Sequence, residues 1–142
     1  ASAADADMVA GARGEFIFPS FIPAYDGMFA AIRLLEGLAR AGLHLRELAD
    51  RFPPIHVRQG RVACPWGRKG AVMRRLLEST AGGTRQLVDG VKLWNGDREW
   101  VLVIPHSHKP YFVVTTEGAA PERAQALLSE YTHLVEKWRD EG

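Results

Sequence analysis

Leu87-Val-Asp-Gly-Val-Lys-Leu-Trp94, then Asn95-Gly-Asp-Arg98, then Glu99-Trp-Val-Leu-Val-Ile104 is the stretch from which the fold is read. Both flanking runs are rich in β-branched and aromatic residues, and Asn95-Gly96 tolerates the positive φ values of a tight reversing turn. The spacing therefore predicts an antiparallel hairpin. Trp100, Leu102 and Ile104 alternate with Val101 and Val103, the period of two that a strand requires. After Pro105 to Pro110 the chain returns as Tyr111 to Thr116, a third member of the same meander. Upstream, Ile55 to Ala63 reads as a strand, and Gly67 to Ser79 as a helix with Val72, Met73, Leu76 and Leu77 on its apolar face. Downstream, Pro121 suits the first turn of a helix. The stripe Ala124, Leu127, Leu128, Tyr131, Leu134, Val135 and Trp138 then keeps helical period. This order of elements predicts an α+β domain, an antiparallel four-stranded sheet packed with two helices.

The N-terminal third reads differently. Residues 15–22 mix Phe, Ile and Pro and suggest one short strand. Asp26 can cap the helix that follows, its carboxylate accepting from free amides at the positive end of the dipole. Met28, Ile32, Leu35 and Leu38 form a stripe on that helix, and Gly42 offers a left-handed stop. Leu45, Leu48 and Phe52 suggest a further helical turn before Pro53-Pro54, where the pattern breaks. The expected domains are therefore 1–53, a strand-helix remnant, and 54–142, the α+β domain.

With 142 residues, 46% hydrophobic and 25% charged, the chain can bury a core but is short for two complete domains. Its net charge of +1 specifies no partner, and neither a signal peptide nor a run of roughly 20 apolar residues is visible. The single cysteine, Cys64, cannot form an internal disulfide and fits a reducing, cytoplasmic setting. Between Arg51 and Leu77 lie Arg51, Arg58, Arg61, Arg68, Lys69, Arg74 and Arg75 with no acidic residue. Arg68, Lys69 and Arg75 are expected to share one helical face, and the run carries no nucleic-acid motif.

The loop Ile104-Pro105-His106-Ser107-His108-Lys109-Pro110 resembles the Arg-Pro-Ser-x-Thr-Glu-Pro phosphate loop of the α-D-phosphohexomutases, which include phosphomannomutase and phosphoglucomutase. Both prolines keep their spacing. Ile104 stands at the arginine position, and His106, His108 and Lys109 stand at the serine, threonine and glutamate positions. Phe16 to Ala41 is similar to the close of that family's third domain, Asp89-Gly90-Val91-Lys92 to its last-domain hairpin, and Glu117 to the glutamate that ends the next strand. Cys64-Pro65-Trp66, Lys69-Gly70 and Val72-Met73-Arg74 resemble the branch in which a mutase-like region follows a nucleotidyltransferase region, the mannose-1-phosphate guanylyltransferase type. The chain reads as a piece of such a longer protein, whose upstream domains would be its first partners.

The resemblance implies a substrate-phosphate site at His106, Ser107, His108 and Lys109, and a weaker sugar contact at Glu15, whose Gly14-Glu15 matches the family's Gly-Glu element. Phe16-Ile17-Phe18 replaces the polar residues that follow it in the family. Ile104 lacks the fixed fork of donors that an arginine offers. Protonated histidines could supply part of the missing charge, so binding is expected to strengthen below about pH 6.5. An ordinary polar turn is the plainer account of the same residues. No catalytic residue, cofactor or metal is expected in this chain. A magnesium ion (Mg) is implied for the parent family, whose metal loop and phosphoserine lie earlier in the full protein.

Two functions stay open. One is a C-terminal mutase-like region of a sugar-nucleotide biosynthesis protein, transferase or isomerase in its parent, non-catalytic by itself and serving assembly or weak binding of a hexose phosphate or nucleotide sugar. The other is the substrate-phosphate-binding domain of an active phosphomannomutase or phosphoglucomutase. The apolar stripe of residues 15–52 must be covered, through a homodimer of the N-terminal segment or by folding back on the C-terminal domain. Neither nucleic acid nor membrane is an expected partner.

Overall fold

A computed structural model of the chain describes residues 6–11, 14–87, 89–96 and 98–141. It divides into two units, Ala1–Pro53 and Pro54–Gly142.

The first unit holds a small antiparallel meander, β1 (Val9–Ala10), β2 (Phe16–Phe18) and β3 (Ile22–Tyr25), in that order. Three strands stand where one was expected. Phe18 pairs with Ile22 after a register shift, which lets so short a segment reverse. Then come α1 (Gly27–Ala41) and α2 (Leu45–Ala49). Asp26 caps α1 as expected, accepting from the Phe29 amide at 2.8 Å. Gly42, at φ 63°, ends it with its own amide on Ala39 and that of Leu43 on Leu38. The side of α1 that is packed carries Phe29, which stacks on Phe21 at 4.0 Å and meets Phe18 edge-on at 5.1 Å. The stripe expected to need cover is largely exposed: Met28, Ile32 and Leu35 are 80%, 60% and 65% exposed, and Leu38 is half-buried. Among the described residues of this unit none is buried.

The second unit carries the core. Its elements are β4 (His56–Ala63), α3 (Trp66–Ser79), β5 (Arg85–Gln86), β6 (Val91–Trp94), β7 (Trp100–Pro105), β8 (Tyr111–Gly118) and α4 (Pro121–Glu141). The sheet is fully antiparallel in the order β4-β8-β7-β6-β5, so it has five strands rather than four. The expected run Leu87 to Trp94 is broken at Asp89, which takes φ 56°, and at Gly90, where a Cβ would collide with the Val103 carbonyl oxygen. Val88, also in that run, lies outside the described residues. A separate edge strand forms from Arg85–Gln86, ahead of the expected run, with Arg85 opposite Leu93 and Gln86 opposite Lys92. At the other end of the hairpin, Gly96 has the positive φ, 78°, and the Asn95 amide closes the loop on the Glu99 carbonyl at 2.9 Å.

Alternation along the strands sorts the two faces of the sheet. Val62, Val91, Leu93, Val101, Val103, Phe112 and Val114 point to the helices and are buried with Val72 and Leu76 of α3 and Leu127, Val135 and Trp138 of α4. Trp100, Leu102, Ile104, Tyr111 and Val113 occupy the other face and are half-buried. The start of α4 is set closely on β8. Thr116, fully buried, donates to the Ala124 carbonyl at 2.8 Å, and Gly118 passes so near the Ala124 amide that a Cβ there would overlap it. Gly118→Ala is therefore expected to destabilise the second unit by about 1–3 kcal/mol. Gly70→Ala, in the interior of α3 with open space around the added methyl, should stabilise it by roughly 0.5–1 kcal/mol. Urea denaturation followed by tryptophan fluorescence would read both signs.

Candidate functional site

The loop between β7 and β8 begins and ends in paired backbone. Pro105 faces Phe112 across the ladder, and the Cys64 amide at the end of β4 donates to the Pro110 carbonyl at 2.8 Å. Between these points the His106 amide donates to Tyr111 at 3.0 Å, and the Tyr111 amide to Lys109 at 2.9 Å. The loop thus turns back on itself before β8 starts.

Its middle is held from below by Lys69, in the first turns of α3. The Nζ of Lys69 donates to the His106 carbonyl at 2.6 Å and to the Lys109 carbonyl at 2.7 Å, and sits 3.9 Å from the centre of the Trp66 ring. Lys69 is only 8% exposed. A buried ammonium requires acceptors, and the two carbonyls with the indole face supply them. Lys69 does not share a solvated basic face with Arg68 and Arg75, which remain exposed. That expectation is overturned because the loop descends over the first turns of the helix.

The histidines are partners to one another. His106 Nδ1 accepts from the His108 amide at 3.0 Å, so that nitrogen must be unprotonated. The His106 ring also meets Tyr111 edge-on at 4.6 Å, and the Arg61 guanidinium lies 5.4 Å from the centre of the Tyr111 ring. Partial burial, then Lys109, His108, Lys69 and Arg61, push the His106 imidazole below its ordinary pKa. Ser107, His108 and Lys109 are exposed on the loop surface, and Ile104 leaves β7 half-buried on the open sheet face, opposite Val113. Four of the five expected site residues therefore share one loop. Glu15 belongs to the first unit, partly buried against Gly11.

Sequence reading missed the role of Lys69 and a cleft beside the loop. The cleft, 790 Å³, is lined by Ala63 to Trp66, Arg68, Pro110, Arg139 and Asp140. Arg139 ends α4 with a two-pronged grip on Asp140 at 2.7 and 2.9 Å and a bond to the Ala63 carbonyl at 3.0 Å. That grip holds the Asp140 carboxyl below its usual range. Cys64 is fully buried, and burial raises its thiol pKa, which removes it as a nucleophile at neutral pH.

Among the described residues no group of three or more His, Cys, Asp or Glu side chains could hold a metal ion. The residues present do not fit the magnesium of a phosphohexomutase. No helix among them is long and apolar enough to cross a membrane.

Comparison with known proteins places relatives beside this geometry. The chain is 32% identical over 119 residues, 80% of its length, to a probable phosphoglucosamine mutase of Methanothermobacter thermautotrophicus, of which it covers 26%. A probable phosphoglucosamine mutase of Methanopyrus kandleri is 33% identical over 132 residues, 90% of this chain and 28% of that protein. That of Pyrococcus abyssi is 30% identical over 126 residues, 86% of this chain and 28% of that protein. The chain thus spans between 26% and 28% of the length of these relatives. No family model matches it.

Lys69→Met keeps the apolar stem and removes both donors. It is expected to cost about 2 kcal/mol and to speed amide exchange at 106–109 more than in the sheet. Because the folded state lowers the His106 pKa, its contribution to stability is full above the ordinary histidine value of 6.5. That contribution is lost as pH falls through the lower folded value. An NMR titration should place the His106 midpoint below 6.5, and a midpoint above it would contradict the Nδ1 acceptor.

Proposed function

From a chain that is phosphohexomutase-like over most of its length, we propose a C-terminal mutase-like region of a longer sugar-phosphate or sugar-nucleotide enzyme, non-catalytic by itself, whose β7–β8 loop offers a weak phosphate-facing surface. One observation carries this reading. The loop retains a tightly held frame, with Pro105 and Pro110 in paired backbone and Lys69 beneath it, while the position of the family's guanidinium is Ile104. Phosphoryl transfer needs a transferring group, a metal and an acid/base pair, and the loop residues supply positioning only. Ser107, His108 and Lys109 are the exposed donors for an anion. The Lys69 ammonium is already engaged by backbone. His106 must lose its bond from the His108 amide before it can carry charge, so any gain in binding on acidification through His106 begins below pH 6.5.

The Cys64-Pro65-Trp66 and Lys69-Gly70 stretch supports the finer reading, a region attached to a nucleotidyltransferase. The names of the archaeal relatives favour a second one, the substrate-phosphate domain of an active mutase acting on a hexosamine phosphate. In either case the exposed stripe Met28, Ile32 and Leu35 is the surface we assign to packing against the rest of the polypeptide. Relatives whose length is only about a quarter covered by this chain support that assignment.

Ile104→Arg separates a phosphate-facing loop from an ordinary turn. Restoring the guanidinium should tighten binding of glucosamine 6-phosphate or mannose 6-phosphate about tenfold by calorimetry, and the gain should fade with added salt. Unchanged affinity in the folded variant would show that the loop does not face phosphate.

A further inference from the structure

The cleft beside the loop has features that the phosphate-loop reading does not use. It forms where β4 ends, α3 begins and α4 ends, and of the β7–β8 connection only Pro110 lines it. It is a shallow depression of 790 Å³, open to solvent over most of its extent, so a ligand there would lie against the surface rather than inside it. Ala63, Cys64, Pro65, Trp66 and Pro110 make the walls apolar.

Two side chains at its margin have capacity to spare. Trp66 is 54% exposed although the Lys69 ammonium covers part of its ring at 3.9 Å. A cation on one face draws electron density through the indole, which favours stacking of an electron-rich ring on the other. Arg68 is exposed and, among the described residues, has no ion-pair partner, whereas Arg139 across the cleft is saturated by Asp140 and Ala63. Of the charged groups on the cleft, Arg139 is offset by the Asp140 carboxylate beside it, which leaves Arg68 as the cation not already paired. A planar aromatic platform, an available guanidinium and an apolar floor suit a flat ring that carries a phosphate.

We propose that this cleft binds a purine nucleoside phosphate, its base stacked on Trp66 and its phosphate held by Arg68. Arg139 is then a positioning residue, since its grip on Ala63 and Asp140 keeps the cleft open against the end of α4.

The test is NMR of the isotope-labelled 142-residue chain titrated separately with AMP, GMP, guanosine, mannose 6-phosphate and inorganic phosphate. The Trp66 indole and the Arg68 and Arg139 side chains report on the cleft, and His106 and His108 on the loop. Saturable cleft shifts with a nucleotide are expected. Arg68→Glu, at an exposed position, should weaken nucleotide binding at least about tenfold and leave guanosine within about twofold. Trp66→Leu should weaken both nucleotide and guanosine. Absence of cleft shifts at millimolar nucleotide overturns the proposal. So does an equal response to inorganic phosphate or to mannose 6-phosphate, since neither carries a base. Shifts confined to the loop would sustain the phosphate-loop reading and sink this one; shifts confined to the cleft would do the reverse.

Discussion

The buried ammonium of Lys69 is the constraint on which the geometry around the loop depends. Removing such a charge from water is costly unless it is fully solvated by the protein. Here the solvation comes from the carbonyls of His106 and Lys109 and from the Trp66 ring. Because the two carbonyls lie three residues apart on one loop, satisfying the ammonium also sets the span of that loop. The His106 amide can then reach Tyr111, and the His108 amide can reach His106 Nδ1. One cation on α3 thereby shapes a segment 37 and 40 positions later in the chain.

The same bond explains why the lysine beneath the loop offers no charge to an anion above it. In a loop that grips an anion, the positive group must face outward. Lys69 faces inward and is spent on backbone oxygens, and His106 accepts the His108 amide at Nδ1 while partial burial, and after it the cationic neighbours, lower its pKa. Exposed positive charge is found at Lys109 on the loop itself and at Arg68, on the rim of the neighbouring cleft.

Which features could be read from the sequence follows from how local their causes are. The stripe of α4 was legible because Ala124, Leu127, Val135 and Trp138 recur at the helical period and meet a face of the sheet that alternates as a strand should. The Asp26 cap and the Gly42 stop depend on their own neighbours and were equally visible. The β5 edge strand was not, because its separation from β6 rests on the left-handed Asp89 and on the approach of Gly90 to Val103, a long-range contact. The prolines of the loop could be recognised by spacing alone. Lys69 could not, since one lysine within a basic run has the appearance of a surface residue until the loop is laid across it.

The two units bury their apolar groups to very different degrees, and that bears on how the chain is used. In Pro54–Gly142 the large side chains on the inner face of the sheet are covered by α3 and α4, so its core is complete within itself. In Ala1–Pro53 the aromatic group around Phe29 is the main packed cluster, and α1 leaves Met28, Ile32 and Leu35 open. Each such side chain left in water forgoes roughly 1.5–3 kcal/mol that burial would return. A segment with this many apolar groups exposed gains by being covered. Cover from any source should therefore lower the mobility of α1, which amide exchange at Met28, Ile32 and Leu35 would register.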